Sequence, residues 1–343
     1  MKYAPVTITT LNRYEHFVRC ITSLQKNTWA QETEIFISLD YPPSERYLVG
    51  YQKIRKYLES GISGFKRVQI FFQNKNLGAL DNSLFLQNKI FESFDRLILL
   101  EDDNELSPCF LEFCDKGLEL FEHDDSVIAI NASNYVWSAN AHQRDLTYRG
   151  SNNVRKRQLL FHACAIWRDK TKIIWDMCEN KEFYFMGKNI KKMFKLYKKS
   201  SSFFYSYVEN ALFSKTKLPW YNGKLYAIDF IWNIYMMLND CYVIYPVVAQ
   251  TRDWGMDGSG VNYTVPWENA KELLELPINL DLHFEYKISE PIDIDTDEVK
   301  LHDKNVYPHL KSKLKRLVMY MIYLTKSKNI ELKSMGTNRR HGK

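Results

Sequence analysis

The sequence lacks a long uninterrupted hydrophobic run. None of the apolar segments in its 343 residues approaches the roughly 20 residues that a membrane-spanning helix needs. The chain starts directly on a strand-like run, residues 6–11, so we expect no targeting segment before the fold. These two absences favour a cytoplasmic protein.

Cysteine is scarce and follows no recognisable pattern. The six cysteines form no C-x-x-C pair and do not have the spacing of metal ligands. Together with the expected absence of a secretory signal, this predicts buried or free thiols in a reducing compartment. The cysteines are Cys20, Cys109, Cys114, Cys164, Cys178 and Cys241.

Acidic residues are nearly absent from the C-terminal tail. Residues 304–343 carry eleven Lys or Arg and one acidic residue, Glu331, which is a formal charge of +10. Because the whole chain carries +6, the other 303 residues sum to −4. A nucleic-acid-binding core would be expected to present a basic face across the domain, so we expect no nucleic-acid partner.

Aromatic residues, in contrast, are abundant at 15% of the chain. The composition favours the simplest interpretation, which is packing in a hydrophobic core. A second interpretation is sugar recognition, because flat rings stack against the apolar faces of pyranoses.

Strand-like and helix-like segments alternate over about the first 130 residues, which is typical of an α/β domain with a mainly parallel sheet. The predicted strands are 6–11, 34–40, 67–74, 96–103 and 126–132. The predicted helices are 14–27, 44–60, 78–92 and 107–123, the last with Ser107 as N-cap and Pro108 at its first position. Further along we expect strands at 159–168 and 241–251, a helix at 227–240, a basic insertion or helix at 185–204, a loop at 252–264 and an acidic linker at 290–300.

Three carboxylates end the fourth predicted strand in "LILLEDDNELSP", residues 97–108. In parallel α/β sheets, ligands bind beyond the carboxyl ends of the strands, which is where Glu101, Asp102 and Asp103 should lie. Mg²⁺ and Mn²⁺ prefer oxygen ligands and relieve the repulsion between such carboxylates. The alternative is a solvated acidic turn that stabilises the N-terminus of the next helix.

Polar residues follow the other predicted strands as well. Asn12 and Arg13 follow the first strand, Asp40 ends the second, and Asn76 and Gly78 follow the third. Each alone is explained as a turn residue. Since four consecutive strands deliver polar loops to one edge of the sheet, a binding site at that edge is favoured.

These motifs carry a resemblance to a known family. T-x-N-R before a helix, a strand ending in Asp, "NKNLGAL" and a strand ending in "EDD" resemble the family-2 glycosyltransferases of GT-A fold, the nucleotide-diphospho-sugar transferase fold. "LLEDDNELSPCFLEF" is similar to the E-D-D region of animal N-acetylglucosaminyltransferase I and its bacterial relatives. Residues 226–260 resemble bacterial transferases of capsule and surface-polysaccharide clusters.

The resemblance implies an α/β GT-A fold, with a mainly parallel central sheet flanked by helices and a basic amphipathic C-terminal helical tail. Residues 1–135 would form the nucleotide-sugar-binding half. Residues 136–290 would form the acceptor-binding and catalytic half of the same domain, and residues 291–343 the linker and tail.

The family's nucleotide site carries over to residues of the first three loops. By resemblance, Thr9, Asn12 and Arg13 border the nucleotide, and Asp40 hydrogen-bonds the uracil edge. The nucleotide–ribose site is lined by three consecutive residues, Asn76, Leu77 and Gly78.

The family's metal site carries over to the acidic triplet. By resemblance, Asp103 binds Mn²⁺ or Mg²⁺ directly, and Glu101 and Asp102 hold ribose, sugar hydroxyls or metal-bound water. A cation that bridges the phosphates of a nucleoside diphosphate stabilises the charge that develops on this leaving group.

An inverting transferase also needs a general base, and Asp229 matches the family's position for it. An acidic residue placed by the helix dipole explains Asp229 equally well. Glu209 is the weaker candidate base.

The loop at 252–264 departs from the family pattern at Asn262, where many relatives carry a histidine. Trp254, Asp257 and Ser259 would belong either to a loop that closes over the donor or to a static surface loop. His162 is expected to be a core residue or part of the acceptor wall.

The expected function is a metal-dependent inverting hexosyl-transferring glycosyltransferase, with a UDP-sugar as donor and a glycan or lipid-linked saccharide as acceptor, in bacterial surface polysaccharide synthesis. One alternative is a sugar-nucleotide nucleotidyltransferase, which usually has a glycine-rich basic loop that residues 9–17 lack. The other is a non-catalytic carbohydrate-binding protein.

The basic tail contains a stripe of apolar residues at helical spacing within 308–328. One interpretation is a helix packed on the protein's own surface, and the other is peripheral contact with the inner face of the cell membrane. The stripe comprises Leu310, Leu314, Leu317, Val318, Met321 and Leu324.

Overall fold

The computed structural model of the chain divides into two compact units. Unit 1 contains Met1–Lys172 with Tyr242–Ile294, and unit 2 contains Ile173–Cys241 with Asp295–Lys343. The residues described are 2–134, 151–159, 161–179, 183, 186–213, 220–221, 224–225, 228–260, 274–275, 277–287, 300, 303–304 and 308–337.

Ten of the twelve described strands belong to unit 1, and the two within residues 220–225 belong to unit 2. In chain order the strands are β1 (Val6–Thr10), β2 (Glu34–Leu39), β3 (Arg67–Phe72), β4 (Arg96–Glu101), β5 (Asn104–Leu106), β6 (Val127–Asn131), β7 (Asn153–Lys156), β8 (Cys164–Trp167), β9 (Trp220–Tyr221), β10 (Lys224–Leu225), β11 (Tyr242–Pro246) and β12 (Thr251–Asp253). Eight of them form one sheet in the order β3-β2-β1-β4-β8-β6-β11-β7. Six of these point the same way, and only β8 and β7 run antiparallel to their neighbours.

The helices are α1 (Tyr14–Gln25), α2 (Leu48–Glu59), α3 (Ala79–Phe91), α4 (Phe110–Leu120), α5 (Arg168–Glu179), α6 (Ile190–Lys199), α7 (Ser201–Tyr207), α8 (Ile228–Asn239) and α9 (Leu310–Thr337). A π-helical segment, Val208–Phe213, continues α7. Helices α6 to α9 belong to unit 2. Among the described residues, no helix is both long and apolar enough to cross a membrane.

Hydrophobic periodicity explains why these elements form. Phe17, Cys20, Ile21 and Leu24 recur at helical spacing along α1, and all four are completely buried. The middle of β4 is continuously apolar, which suits a strand that is covered on both faces. The predicted α/β fold with a mainly parallel central sheet is therefore confirmed.

The sheet register brings the carboxyl ends of the first, second and fourth strands together. Thr9 in β1 lies opposite both Ser38 in β2 and Glu101 in β4. The loops that leave these strands therefore start side by side, which positions the cavity described below.

The predicted helix start at Ser107 and Pro108 is wrong. The helix α4 begins at Phe110, and the Ser107 backbone N–H instead donates to the carbonyl oxygen of Gln250 at 2.9 Å, directly after β5. The Ser107 hydroxyl donates to Gln250 Oε1 at 2.7 Å and does not cap the helix.

The second half of the sheet is less regular than predicted. The strand expected over 159–168 is shorter, at Cys164–Trp167, and the strand expected over 241–251 divides into β11 and β12. The edge strand β7 was missed, because four residues with two charges among them show no clear alternation. The expected linker at 290–300 lies outside the described residues except for Lys300.

A buried carboxylate joins α4 to the start of β1. Asp115 is almost completely buried, and its Oδ1 accepts a hydrogen bond of 2.9 Å from the backbone N–H of Ala4. Burial raises the pKa of Asp115 to about 7. Since an unfolded aspartate has a pKa near 3.9, the folded state binds more protons between about pH 4 and pH 7 and loses stability as the pH rises through that window.

We therefore expect the melting temperature of the wild type to fall between pH 5 and pH 8, and that of Asp115→Asn to fall less over the same interval. The amide keeps an acceptor for the Ala4 N–H but carries no buried charge at high pH. Thermal unfolding from pH 4 to pH 8 measures the effect, at about 3 °C per kcal/mol for a domain of this size. The control is Glu32→Gln, at an exposed position of unit 1. An unchanged pH dependence in Asp115→Asn would contradict the assignment.

Candidate active site at the carboxyl edge of the sheet

A cavity of about 240 Å³ lies at the carboxyl edge of the unit 1 sheet. It is lined by the loops that follow β1, β2, β4 and β12 and by the start of α3. Ten of the residues singled out from the sequence lie in its wall: Ser259 and nine from the first half of the chain, which are Thr9, Asn12, Arg13, Asp40, Asn76, Gly78, Glu101, Asp102 and Asp103. The sheet topology thus brings together these nine residues, which are up to 94 positions apart in the sequence.

The acidic triplet surrounds Arg13. Glu101 ends β4, and Asp102 and Asp103 form the turn that follows it. The Arg13 guanidinium pairs with both Asp102 and Asp103, and its Nη2 lies 2.8 Å from Asp103 Oδ2. The Thr10 hydroxyl donates to Asp102 Oδ2 at 2.8 Å. Both oxygens of Asp102 are therefore engaged within the protein.

Beside the acidic triplet lies a fourth carboxylate, Asp253, which was not predicted from the sequence. It ends β12, where the antiparallel pairing with β5 places it opposite Asn104. The backbone N–H of Trp254 donates to the carbonyl oxygen of Asp103 at 3.0 Å, which holds the two acidic segments together. The available signal was a strand that ends in a carboxylate, as at Asp40, but the region was predicted as loop.

Negative charge is in excess in this cluster. With all groups ionised, four carboxylates face one guanidinium, for a formal charge of −3. Burial and repulsion by Asp103 raise the pKa of Glu101 and of Asp253. Burial raises the pKa of Asp102 against the opposing effect of Arg13. The Glu101 side chain is exposed and lines the cavity.

The cluster suits a hard divalent cation that a ligand helps to coordinate. Among the described residues, no three His, Cys, Asp or Glu side chains already form a metal shell. Mg²⁺ and similar ions usually take one or two carboxylates and complete their shell with phosphate oxygens and water. The space beside Asp103 is kept by Gly255, where an added Cβ would lie 2.2 Å from Asp103 Oδ2. Oxygen donors, excess negative charge and a glycine-lined recess together fit such a cation.

Asp40 organises the loop that follows β3. Its Oδ1 accepts hydrogen bonds from the N–H groups of Tyr41 and Leu77, both at 2.9 Å. Its Oδ2 accepts from the N–H of Gly78 at 2.9 Å and from the Asn76 amide at 3.1 Å. Two bonds at each oxygen leave little capacity for a ligand. Gly78 has a φ of +83°, in the left-handed region that favours glycine, so the loop can turn into the cavity.

The loop after β12 is fastened to α1. The Arg19 guanidinium lies over the Trp254 ring, 4.1 Å from the ring centroid. The Trp254 indole N–H donates to Glu105 Oε2 at 2.8 Å. His16 Nε2 lies 3.1 Å from Asp257 Oδ2. The loop continues into the cavity wall through Ser259 and Gly260.

The remaining predicted residues lie elsewhere. Leu77 contributes its backbone N–H to Asp40 and does not line the cavity. Asp229 lies in the first turn of α8 and belongs to unit 2, so its role as base stays a prediction. Glu209 accepts a hydrogen bond of 2.9 Å from Arg316 Nε in α9. His162 lies close enough to Asp253 to favour its ionised form, and Asn262 lies outside the described residues.

Comparison with known proteins gives no family assignment. No protein-family model and no curated protein matches the chain. Among solved structures, it resembles the mannosyltransferase PcManGT from Pyrobaculum calidifontis in complex with GDP-Man and Mn²⁺, at 10% identity and a TM-score of 0.36, over 50% of this chain and 46% of that one. It also resembles S. aureus TarS, at 13% identity and a TM-score of 0.35, over 72% of this chain and 37% of that one. Likeness at these TM-scores identifies neither the fold nor the function.

We expect Asp40→Asn to loosen residues 76–78, because an amide has one acceptor oxygen and cannot accept all four hydrogen bonds. Hydrogen–deuterium exchange at the amides of Tyr41, Leu77 and Gly78 should become at least about tenfold faster, in line with the loss of buried hydrogen bonds. Glu45→Gln, at an exposed position near the same loop, is the control. Unchanged exchange in Asp40→Asn would show that the loop is held by other contacts.

Proposed function

We propose that this protein is a metal-dependent inverting glycosyltransferase. It would move a sugar from a nucleotide diphosphate, which we take to be a UDP-sugar, to a hydroxyl group of a glycan acceptor. The observation that carries this proposal is the cavity at the carboxyl edge of the sheet, in which four carboxylates and Arg13 converge beside amide-bearing loops.

The acidic floor of the cavity would hold the diphosphate end of the donor. Asp103 would ligate Mn²⁺ or Mg²⁺, and a bound cation would neutralise charge on the departing nucleoside diphosphate. Arg13 fixes Asp102 and Asp103 through its two ion pairs, so the carboxylates are already oriented before the donor arrives. This preorganisation avoids the cost of ordering them at each turnover.

The remaining cavity wall suits the hydroxyl-rich part of a donor. Glu101 opens into the cavity and has an acceptor available for a ribose or sugar hydroxyl. Thr9, Asn12 and Asn76 supply further polar groups. Asp40 would act on the nucleotide through the loop that it orders, and not by a direct contact to the base, because its oxygens are already engaged.

Inversion at the anomeric carbon would require a base that removes the acceptor proton from the face opposite the leaving group. We propose Asp229 for this role. Glu209 is less suited, because its carboxylate already pairs with Arg316. We further propose that the acceptor is a glycan or a lipid-linked saccharide of bacterial surface polysaccharide synthesis, for which the exposed face of α9 would provide contact with the membrane.

Asp103→Asn is expected to abolish sugar transfer while the fold is retained, because the amide is a poor ligand for a divalent cation. Melting temperature with UDP, measured with and without Mn²⁺, gives a second readout that does not depend on turnover. The wild type should show a Mn²⁺-dependent shift and the variant should not. Asp125→Asn, at an exposed position of unit 1, is the matched control.

Product analysis separates this function from its alternatives. A glycosyltransferase releases the nucleoside diphosphate. A nucleotidyltransferase joins a nucleoside triphosphate to a sugar phosphate and releases pyrophosphate. A carbohydrate-binding protein releases neither. Full transfer by Asp103→Asn, or undiminished transfer in the presence of a chelator, would exclude the metal assignment.

Asp229→Asn should lower kcat by about 100-fold or more, which is the usual effect of removing a general base. Donor affinity, measured as the UDP-dependent shift in melting temperature, should stay within error of the wild type. Glu209→Gln should instead lower thermal stability, through loss of the ion pair with Arg316, and change kcat only a few fold. The reverse pattern would transfer the role of base to Glu209.

A further inference from the structure

The C-terminal helix α9 contacts the other segment of unit 2 through Arg316 and Tyr320. Arg316 pairs with Glu209 of the π-helical segment, and the Tyr320 hydroxyl donates to the carbonyl oxygen of Gly187 at 2.9 Å. The Tyr320 ring packs edge-on against Phe204 of α7, with 5.4 Å between the ring centroids. These contacts fix which face of the helix turns inward. On this face, α9 therefore packs on the protein's own surface, which is one of the two interpretations that the sequence left open.

Between Leu310 and Met321, the opposite face of α9 is apolar and exposed. Leu310, Leu314, Val318 and Met321 have between 49% and 70% of their surface exposed. Since successive residues of an α-helix are rotated by about 100°, these four fall within about 80° of one another, roughly opposite Arg316 and Tyr320. Leu317 and Leu324, which the sequence pattern placed in the same stripe, are instead half-buried at its margin.

Lysines flank this stripe without carboxylate partners. Lys311 and Lys315 are exposed beside it, and neither forms an ion pair with a described residue. Unit 2 as a whole is also positively charged. Unit 2 carries 22 Lys or Arg against 11 Asp or Glu, a formal charge of +11, whereas unit 1 carries −5.

Helix α6 of the same unit shows a second surface of this kind. Ile190, Phe194 and Tyr197 recur at i, i+4 and i+7 and are exposed, while Met193 and Leu196 are buried on the inner side. Tyr197 packs against Phe204, with 5.4 Å between the ring centroids, so α6 and α9 both contact the same side chain of α7. The exposed lysines of α6 are Lys191, Lys192, Lys195 and Lys198.

We propose that the exposed faces of α6 and α9 bind the surface of an anionic lipid bilayer. Apolar side chains would enter the boundary between headgroups and acyl chains, and the flanking lysines would pair with anionic headgroups. The apolar stripe favours lipid over nucleic acid, which a basic face without exposed leucines would serve better. The separation of charge between the units would direct unit 2, and not unit 1, toward the membrane.

Vesicle co-sedimentation of the full chain tests this surface independently of catalysis. The wild type should bind vesicles of phosphatidylcholine that contain about 30 mol% phosphatidylserine at least tenfold more strongly than vesicles of phosphatidylcholine alone, and high salt should weaken the binding. The double variant Leu314→Glu and Val318→Glu should lose at least about tenfold in binding, because it replaces apolar contacts with like charge against the bilayer. Replacing Phe194 by Glu in α6 should cause a smaller loss of the same kind.

The control is Leu280→Glu with Leu282→Glu, the same substitution at two exposed leucines of unit 1, which should bind as the wild type does. A melting temperature within error of the wild type shows that each variant is folded. Equal binding of the α9 variant and the wild type would overturn the proposal. So would equal binding to neutral and anionic vesicles, or a self-association that the α9 substitutions abolish while no vesicle binding is seen.

Discussion

The ion pairs of Arg13 with Asp102 and Asp103 are the interaction on which the candidate site depends. They hold three charged side chains from the ends of two neighbouring strands in one arrangement. One guanidinium cannot balance four carboxylates, so the cavity retains a negative charge that a cationic ligand would relieve. The same pairs explain how the acidic turn is tolerated within a largely buried environment, where unpaired carboxylates would be costly.

Backbone hydrogen bonds complete the arrangement from two sides. Asp40 holds the loop after β3 in place by accepting hydrogen bonds from the Leu77 and Gly78 N–H groups and from the Asn76 amide. It also accepts one from the N–H of Tyr41, which follows β2. The β5–β12 ribbon holds Asp253 against the turn that contains Asp103. The acidic side chains of the cavity are thus supported by other groups that keep the surrounding loops in place. Asp40 belongs to this second group.

Much of unit 1 was predictable because its signals are local. The stripe of Phe17, Cys20, Ile21 and Leu24 and the apolar run of β4 each specify one element, and the topology of a parallel sheet then places the loop residues at one edge. The short antiparallel pairing of β5 with β12 was not predictable, because its partners are about 145 residues apart and neither three-residue strand has a period to detect. Because Asp253 ends β12, it was missed together with this pairing. The placement of α9 needed the structure for a different reason, since its inward face is set by Arg316 and Tyr320 and not by the leucine stripe alone.

The sheet of unit 1 is interrupted in the sequence by the first segment of unit 2, Ile173–Cys241. As the chain leaves the ribosome, β6, β7 and β8 are therefore available before β11, which pairs with β6 on one side and β7 on the other. Until β11 arrives, the edges of β6 and β7 are unpaired, and such edges are open to association with other chains. The acidic cavity is completed later still, once Asp253 has been synthesised. The wall of this cavity is therefore complete only after about three quarters of the sequence is made.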